Sequence, residues 1–168
     1  MCYLLPIVTA LALTCITAPD SWAQSGEVHS AARLQQRSAA LAHSYLQTWS
    51  SNARAALDQV PQLYAPRVRF YGRVLDRSRF MREKAAFLRR WPVRRYAHRP
   101  GTVQVSCDAG SRRCLVRSVI DWRAESPARR VVSRGASRFE QGIDLSGSRP
   151  VVFLESGAVL SHAGRARG

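Results

Sequence analysis

Three carboxylates lie in the β-patterned half of this 168-residue chain at positions where a buried acid or base could act: Asp121, Glu140 and Glu155. Alternation along their segments places Asp121 and Glu140 opposite Trp122 and Phe139, on the solvent side, whereas Glu155 shares its parity with Val151 and Phe153 and can point inward. For Glu155 two readings stand: an acid/base at the end of a sheet, or a strand-end ion pair with one of many arginines. The four histidines form no constellation. His29 and His162 lie near the ends, His98 sits in an Arg-Pro segment, and His43 lies off the Leu41/Tyr45/Trp49 stripe of its own helix. There is no HExxH, no GxSxG, no phosphate-cradling glycine loop and no carboxylate cluster, so neither a metal nor a cofactor is implied.

Cysteines and charge bound the compartment and the partners. Residues 1–23 hold an uncharged apolar run from Leu4 to Ala18, then Ser21-Trp22-Ala23 before Gln24, the pattern of an export signal cleaved after Ala23. The run is too short to remain as a bilayer span. Cys107 and Cys114 are left as one pair in an exported chain, where disulfides form and persist. Lys+Arg number 26 against 11 Asp+Glu, and Lys84 is the sole lysine. The arginines between Arg67 and Arg99, among them Arg77, Arg82, Arg89, Arg90, Arg94 and Arg95, could form a stripe for phosphate, glycan or headgroup anions of the envelope, or a plain solvated face. No stacking motif for nucleic acid is present.

The elements that must position these residues can be read from period. Gln24 to Ser51 carries Leu34, Leu41, Tyr45 and Trp49 on one helical stripe. A short helix runs from Ala53 to Val60 or, past Pro61, to Tyr64; Val68–Tyr71 is a short strand ending at Gly72, and a third helix capped by Asp76 or Ser78 runs to about Trp91 with Phe80, Ala85, Phe87, Leu88 and Trp91 inward. Arg94 to Gly101 reads as a loop. From Thr102 the period is two. Pairing Cys107 with Cys114 sets Val105 opposite Val116 and keeps the apolar side chains on one face, so register and disulfide agree. A strand over Val131–Glu140 follows, then a loop to Arg149, and a final hairpin of Pro150–Glu155 and Ala158–Ser161 about a turn at Ser156-Gly157. The predicted domain is 24–162, and 163–168 reads as a disordered basic tail.

Four stretches carry a resemblance: Tyr64-Ala65-Pro66-Arg67-Val68-Arg69-Phe70-Tyr71-Gly72, Arg90-Trp91-Pro92-Val93-Arg94-Arg95-Tyr96, the Cys107/Cys114 hairpin with Trp122, and Ser133-Arg134-Gly135 before Phe139. Together with the element order they resemble the nuclear transport factor 2-like superfamily, in particular its small exported, SnoaL-like proteins of alpha-proteobacteria, over about Ala32–Ser161. The resemblance implies an α+β fold, order α-α-β-α-β-β-β-β, with three N-terminal helices packed on a strongly curved antiparallel sheet that forms a cone or half-barrel. It also implies a pocket at the open end and, commonly, dimers through the sheet. Enzymatic members need a buried acid/base beside a tyrosine or second acid, for which Glu155, Asp121 and Tyr71 are the weak candidates here. Tyr45, Trp49, Tyr64, Tyr71, Trp91, Trp122 and Phe139 could line the pocket, over a floor of Ser133, Gly135 and Ser137. The resulting expectation is a non-catalytic exported domain, with no cofactor, that holds a small apolar or amphipathic ligand in the cone or an anionic partner on the arginine face. The alternative is a cofactor-free lyase or isomerase of the ketosteroid-isomerase or polyketide-cyclase type.

Overall fold

The computed structural model describes residues 21–167, with side chains from 30 to 162; residues 1–20 of the expected export segment lie outside it. Helix α1 (Ser21–Ser50) is followed by the short α2 (Ala53–Asp58) and α3 (Val60–Leu63), then β1 (Tyr64–Phe70), β2 (Arg73–Asp76), α4 (Arg77–Arg90), β3 (Val93–His98), β4 (Gln104–Asp108), β5 (Arg113–Ser126), β6 (Val131–Asp144) and β7 (Val151–Arg167). The α+β order expected from the sequence holds, and the sheet stays open, running β2-β1-β7-β6-β5-β3 with β4 also on β5. It is mixed rather than wholly antiparallel, because β1 joins β7 in parallel.

Each element has a local cause. In α1 the stripe Leu34, Ala42, Tyr45, Leu46 and Trp49 is buried, as its helical spacing requires. Asn52 caps α2 by accepting from the Ala55 amide at 2.8 Å, and Asp76 caps α4 by accepting from the Arg79 amide at 2.7 Å. Tyr71 and Gly72 join β1 to β2 with φ of 47° and 81°, the positive pair that a two-residue hairpin favours.

Three expectations about the strands are corrected. Arg94–Gly101 is not a loop: residues 93–98 pair with β5 at Ile120–Glu125, and β4 continues along the same edge at Arg113–Arg117. The long β5 thus satisfies one edge with two strands in tandem, and the Thr102 hydroxyl fills the gap by bonding both the amide (3.1 Å) and the carbonyl (3.3 Å) of Val119. Ser156-Gly157 is not a turn. Gly157 lies in mid-strand opposite Phe139, where a Cβ would stand 2.4 Å from the Arg138 carbonyl oxygen; it signals close backbone approach, not chain reversal. The expected tail instead extends β7, with Ala166 opposite Val132 and Arg167 opposite Val131, because β6 is long enough to offer ladder partners that far.

All three register shifts between β6 and β7 put the extra residues on β7, which bends that strand around its partner. The disulfide Cys107–Cys114 is formed in the expected register, with Val105 opposite Val116. Two apolar clusters result. The larger joins Tyr45, Trp49, Tyr64, Phe80, Leu88 and Phe139 between the helices and the sheet, and the smaller joins Leu34, Ala42, Val116, Ile143 and Leu145 near the disulfide.

Candidate functional site

The site begins with a bulge. Ile143 pairs with Val152 and Gly142 with Leu154, so Phe153 is the extra residue of β7. Beyond it the alternation changes phase: Val152 and Glu155, three residues apart, both face inward and are buried. Glu155 therefore points in, but in company with Val152 and not with Val151 and Phe153; Phe153 lies beneath the Arg113 guanidinium.

Three side chains from three elements close on the Glu155 carboxylate. Tyr45 of α1 donates its hydroxyl to Oε2 at 2.5 Å, Tyr64 at the start of β1 donates to the same oxygen at 2.8 Å, and Lys84 of α4 donates Nζ to Oε1 at 2.8 Å. The two phenol oxygens are 3.0 Å apart. Side-chain exposure is 12% for Lys84 and 6% for Glu155, so the pair is shielded from water and its attraction little screened. The ammonium also lies 4.6 Å from the Trp49 ring centroid, 4.9 Å from Phe70 and 5.2 Å from Phe80, an aromatic surround that favours a cation. Burial, reinforced by the Glu155 charge, holds the Tyr45 and Tyr64 hydroxyls well above the ordinary phenol range, so both remain donors. Tyr71, on the β1–β2 turn, is pushed up to about 12 by burial and then by Glu155.

Glu155, Lys84 and Tyr45 stand at one end of a cavity of about 410 Å³, whose apolar walls include Trp49, Phe70, Tyr96, Ile120 and Phe139. Tyr71 and Phe87 are its half-exposed rim. The volume lies in the range of small-molecule sites, and the chemistry of apolar walls with convergent polar groups is theirs as well.

Of the residues expected to line the pocket, Tyr45, Trp49, Tyr71 and Phe139 do so, and Tyr64, fully buried, supports Glu155 from behind. Trp122, Ser133, Gly135 and Ser137 do not. The Trp122 indole folds over Gly135, donates to the Ser137 hydroxyl at 3.1 Å and stacks on His162, which pairs with Ser133 at 3.3 Å; a large ring takes the space that the small residues leave. Trp91 packs under the Arg129 guanidinium, away from the cavity. Asp121 is on the outer face, bound to Arg99 at 2.6 Å, and β5 carries no bulge that would turn it inward.

The expected arginine stripe is broken. Arg94 is buried, and its guanidinium donates to the carbonyls of Trp49 (3.1 Å), Trp91 (2.8 Å), Pro92 (2.9 Å) and Ser51, so it ties the end of α1 to the α4–β3 joint. Arg77 is half-buried and donates to the Tyr64 carbonyl at 3.1 Å. Arg82, Arg89, Arg90 and Arg95 are exposed. His98 is a structural residue: its ring bonds the Ser118 hydroxyl at 2.8 Å and the Ala42 carbonyl at 3.2 Å, and burial lowers its pKa.

The residue that sequence reasoning missed is Lys84, grouped there with the arginines. Its signal was present: Phe80, Lys84 and Leu88 recur every four residues, and the outer two are core. Tyr96 was missed as a cavity residue because its strand was read as a loop, while Phe70 and Ile120 were placed on strands but not assigned to the cavity.

No family model and no curated protein matches the chain. Solved structures do. A putative scytalone dehydratase from Novosphingobium aromaticivorans superposes with a TM-score of 0.64 at 8% identity, over 84% of this chain and 90% of that one. An uncharacterized protein with a cystatin-like fold from Caulobacter vibrioides gives 0.58 at 14% identity over 73% and 86%. A putative calcium/calmodulin dependent protein kinase II association domain from Xanthomonas campestris gives 0.58 at 13% identity over 74% and 86%. The chain has the nuclear transport factor 2-like fold. Neighbours named for a dehydratase and for an association domain share it, so chemistry must be argued from the cavity.

Proposed function

We propose that this chain is an exported binding domain that holds a small, largely apolar molecule in the aromatic cavity, with one polar end of the ligand directed at Lys84 and Glu155. The observation that carries this reading is the engagement of Glu155. Two phenols and one ammonium take three of the roughly four acceptor sites of its carboxylate, which leaves it little capacity to accept a substrate proton as a general base must. Lys84 uses one of its three N–H donors on Glu155, which leaves donors for a ligand carbonyl or carboxylate. Export is supported by the disulfide, by the apolar segment ahead of Ser21-Trp22-Ala23, and by the lack, among the described residues, of a helix able to cross a membrane.

One observation favours the second reading, a cofactor-free isomerase or lyase: the carboxylate lines the cavity beside a tyrosine hydroxyl 2.5 Å away. Incubation with 2-tetralone in deuterated buffer separates the two. Binding seen as a melting-point rise that added salt does not erase, with no exchange of the α-protons beyond that in buffer, is the expected result. Exchange accelerated by the wild type and lost in Glu155→Gln would replace holding by catalysis. Absence of any melting-point rise across apolar ketones, acids and alcohols would overturn both.

A further inference from the structure

The outer face of β5 and β6 supplies its own comparison. At one end, opposed residues are complementary: Arg113 meets Asp144 at 3.0 Å and Arg117 meets Glu140 at 2.8 Å. At the other end Arg123 stands opposite Arg134, and Arg95 of β3 stands opposite Arg123 from the other side. Three arginines thus lie abreast on three neighbouring strands. Like charges directly opposed across strands are destabilising, and these same strands elsewhere pair arginine with acid.

The local acids offset the row only at its centre: Glu125 pairs with Arg123 at 2.7 Å, whereas Asp121, which also lines the groove, is taken by Arg99 at 2.6 Å. Arg95 and Arg134 are exposed and have no ion pair among the described residues. The arginines rim a shallow groove of about 660 Å³ floored by Ala97, Ala136 and Ser161, so small side chains leave room between the guanidinium groups. With strands about 4.8 Å apart, the row spans about 10 Å.

We propose that this groove is a binding site for a short linear oxyanion, two or three linked phosphate or sulfate groups, with the groups taken in turn by Arg95, Arg123 and Arg134. The planar guanidinium binds such oxygens in pairs, and a shared anion converts the mutual repulsion of the row into attraction. The site is separate from the cavity and does not rest on its ligand. It also replaces the α4 stripe expected from the sequence, since α4 and its exit contribute only Arg95.

The test is a calorimetric titration of the full chain with sodium tripolyphosphate, beside the variant pair Arg95→Gln/Arg134→Gln and the control pair Arg89→Gln/Arg90→Gln, which removes the same charge from α4. The proposal expects the groove variant to lose about a hundredfold in affinity, about tenfold per arginine, while the control keeps the wild-type value. Without anion the groove variant should melt no lower than the wild type, which also shows that it folds. Equal losses in both variants would mean attraction to the net charge of +15 alone and would overturn the proposal. So would no tripolyphosphate binding, or binding only to phosphatidylglycerol vesicles.

Discussion

Lys84 and Glu155 illustrate how one buried charge makes another necessary. Substituting Lys84 by Met leaves the carboxylate in the aromatic cluster with only the two phenols, and the cost should be about 3–5 kcal/mol in urea unfolding. The double variant Lys84→Met/Glu155→Gln should recover much of that loss; a double variant as unstable as the sum of the singles would show that the two charges do not interact. His98 gives a pH signature. Burial lowers its folded pKa below the ordinary 6.5, so the unfolded chain binds more protons as pH falls beneath that value. The contribution is complete above pH 6.5 and is lost on acidification toward the folded pKa. The melting point should therefore decline over that window, and decline less in His98→Gln. Residue identity in the sequence went a long way here: Tyr45, Trp49, Tyr71 and Phe139 are aromatic because they bound a cavity, and alternation alone set Asp121 outside. Lys84 was not recovered, because a lysine amid the eleven arginines from Arg67 to Arg99 reads as surface until its four-residue spacing to Phe80 and Leu88 is weighed.

At the scale of elements, the site depends on joints that are weakly encoded. The bulge at Phe153 decides that Glu155 and Val152 share a face; simple period-two counting reached the right direction for Glu155 from the wrong companions. The hairpin predicted at Ser156-Gly157 failed for a related reason, since glycine marks both turns and close approaches and only the partner strand distinguishes them. Helix starts and the cysteine register were legible because their signals are local: a capping side chain, and a pair that keeps apolar residues on one face. Two predictions belong here. Arg94→Met should cost more than about 2 kcal/mol, because four carbonyls at the α1 and α4 ends lose their donor; an unchanged urea midpoint would contradict that role. Reduction of Cys107–Cys114, or its replacement by serines, should cost about 2–3 kcal/mol and leave cavity binding intact, as the bridge lies with the second cluster.

For the whole molecule, the two proposals give one small domain a cavity for apolar molecules and an outer groove for clustered negative charge. The two should respond oppositely to salt: binding in the cavity persists as ionic strength rises, and binding in the groove fades. The chain offers a direct probe of the cavity. Its four isoleucines include Ile120, which lines the cavity, and Ile143, buried in the cluster beside the disulfide. We would record isoleucine methyl NMR spectra of the wild type through a titration with 2-naphthoate, whose bicyclic ring and single carboxylate match the walls and the Lys84 end. The Ile120 methyl should shift progressively and saturate, Ile143 should stay in place, and Lys84→Met/Glu155→Gln should weaken the response. An Ile120 signal that does not move, or that moves equally with Ile143, would contradict the assignment of this cavity as the ligand site.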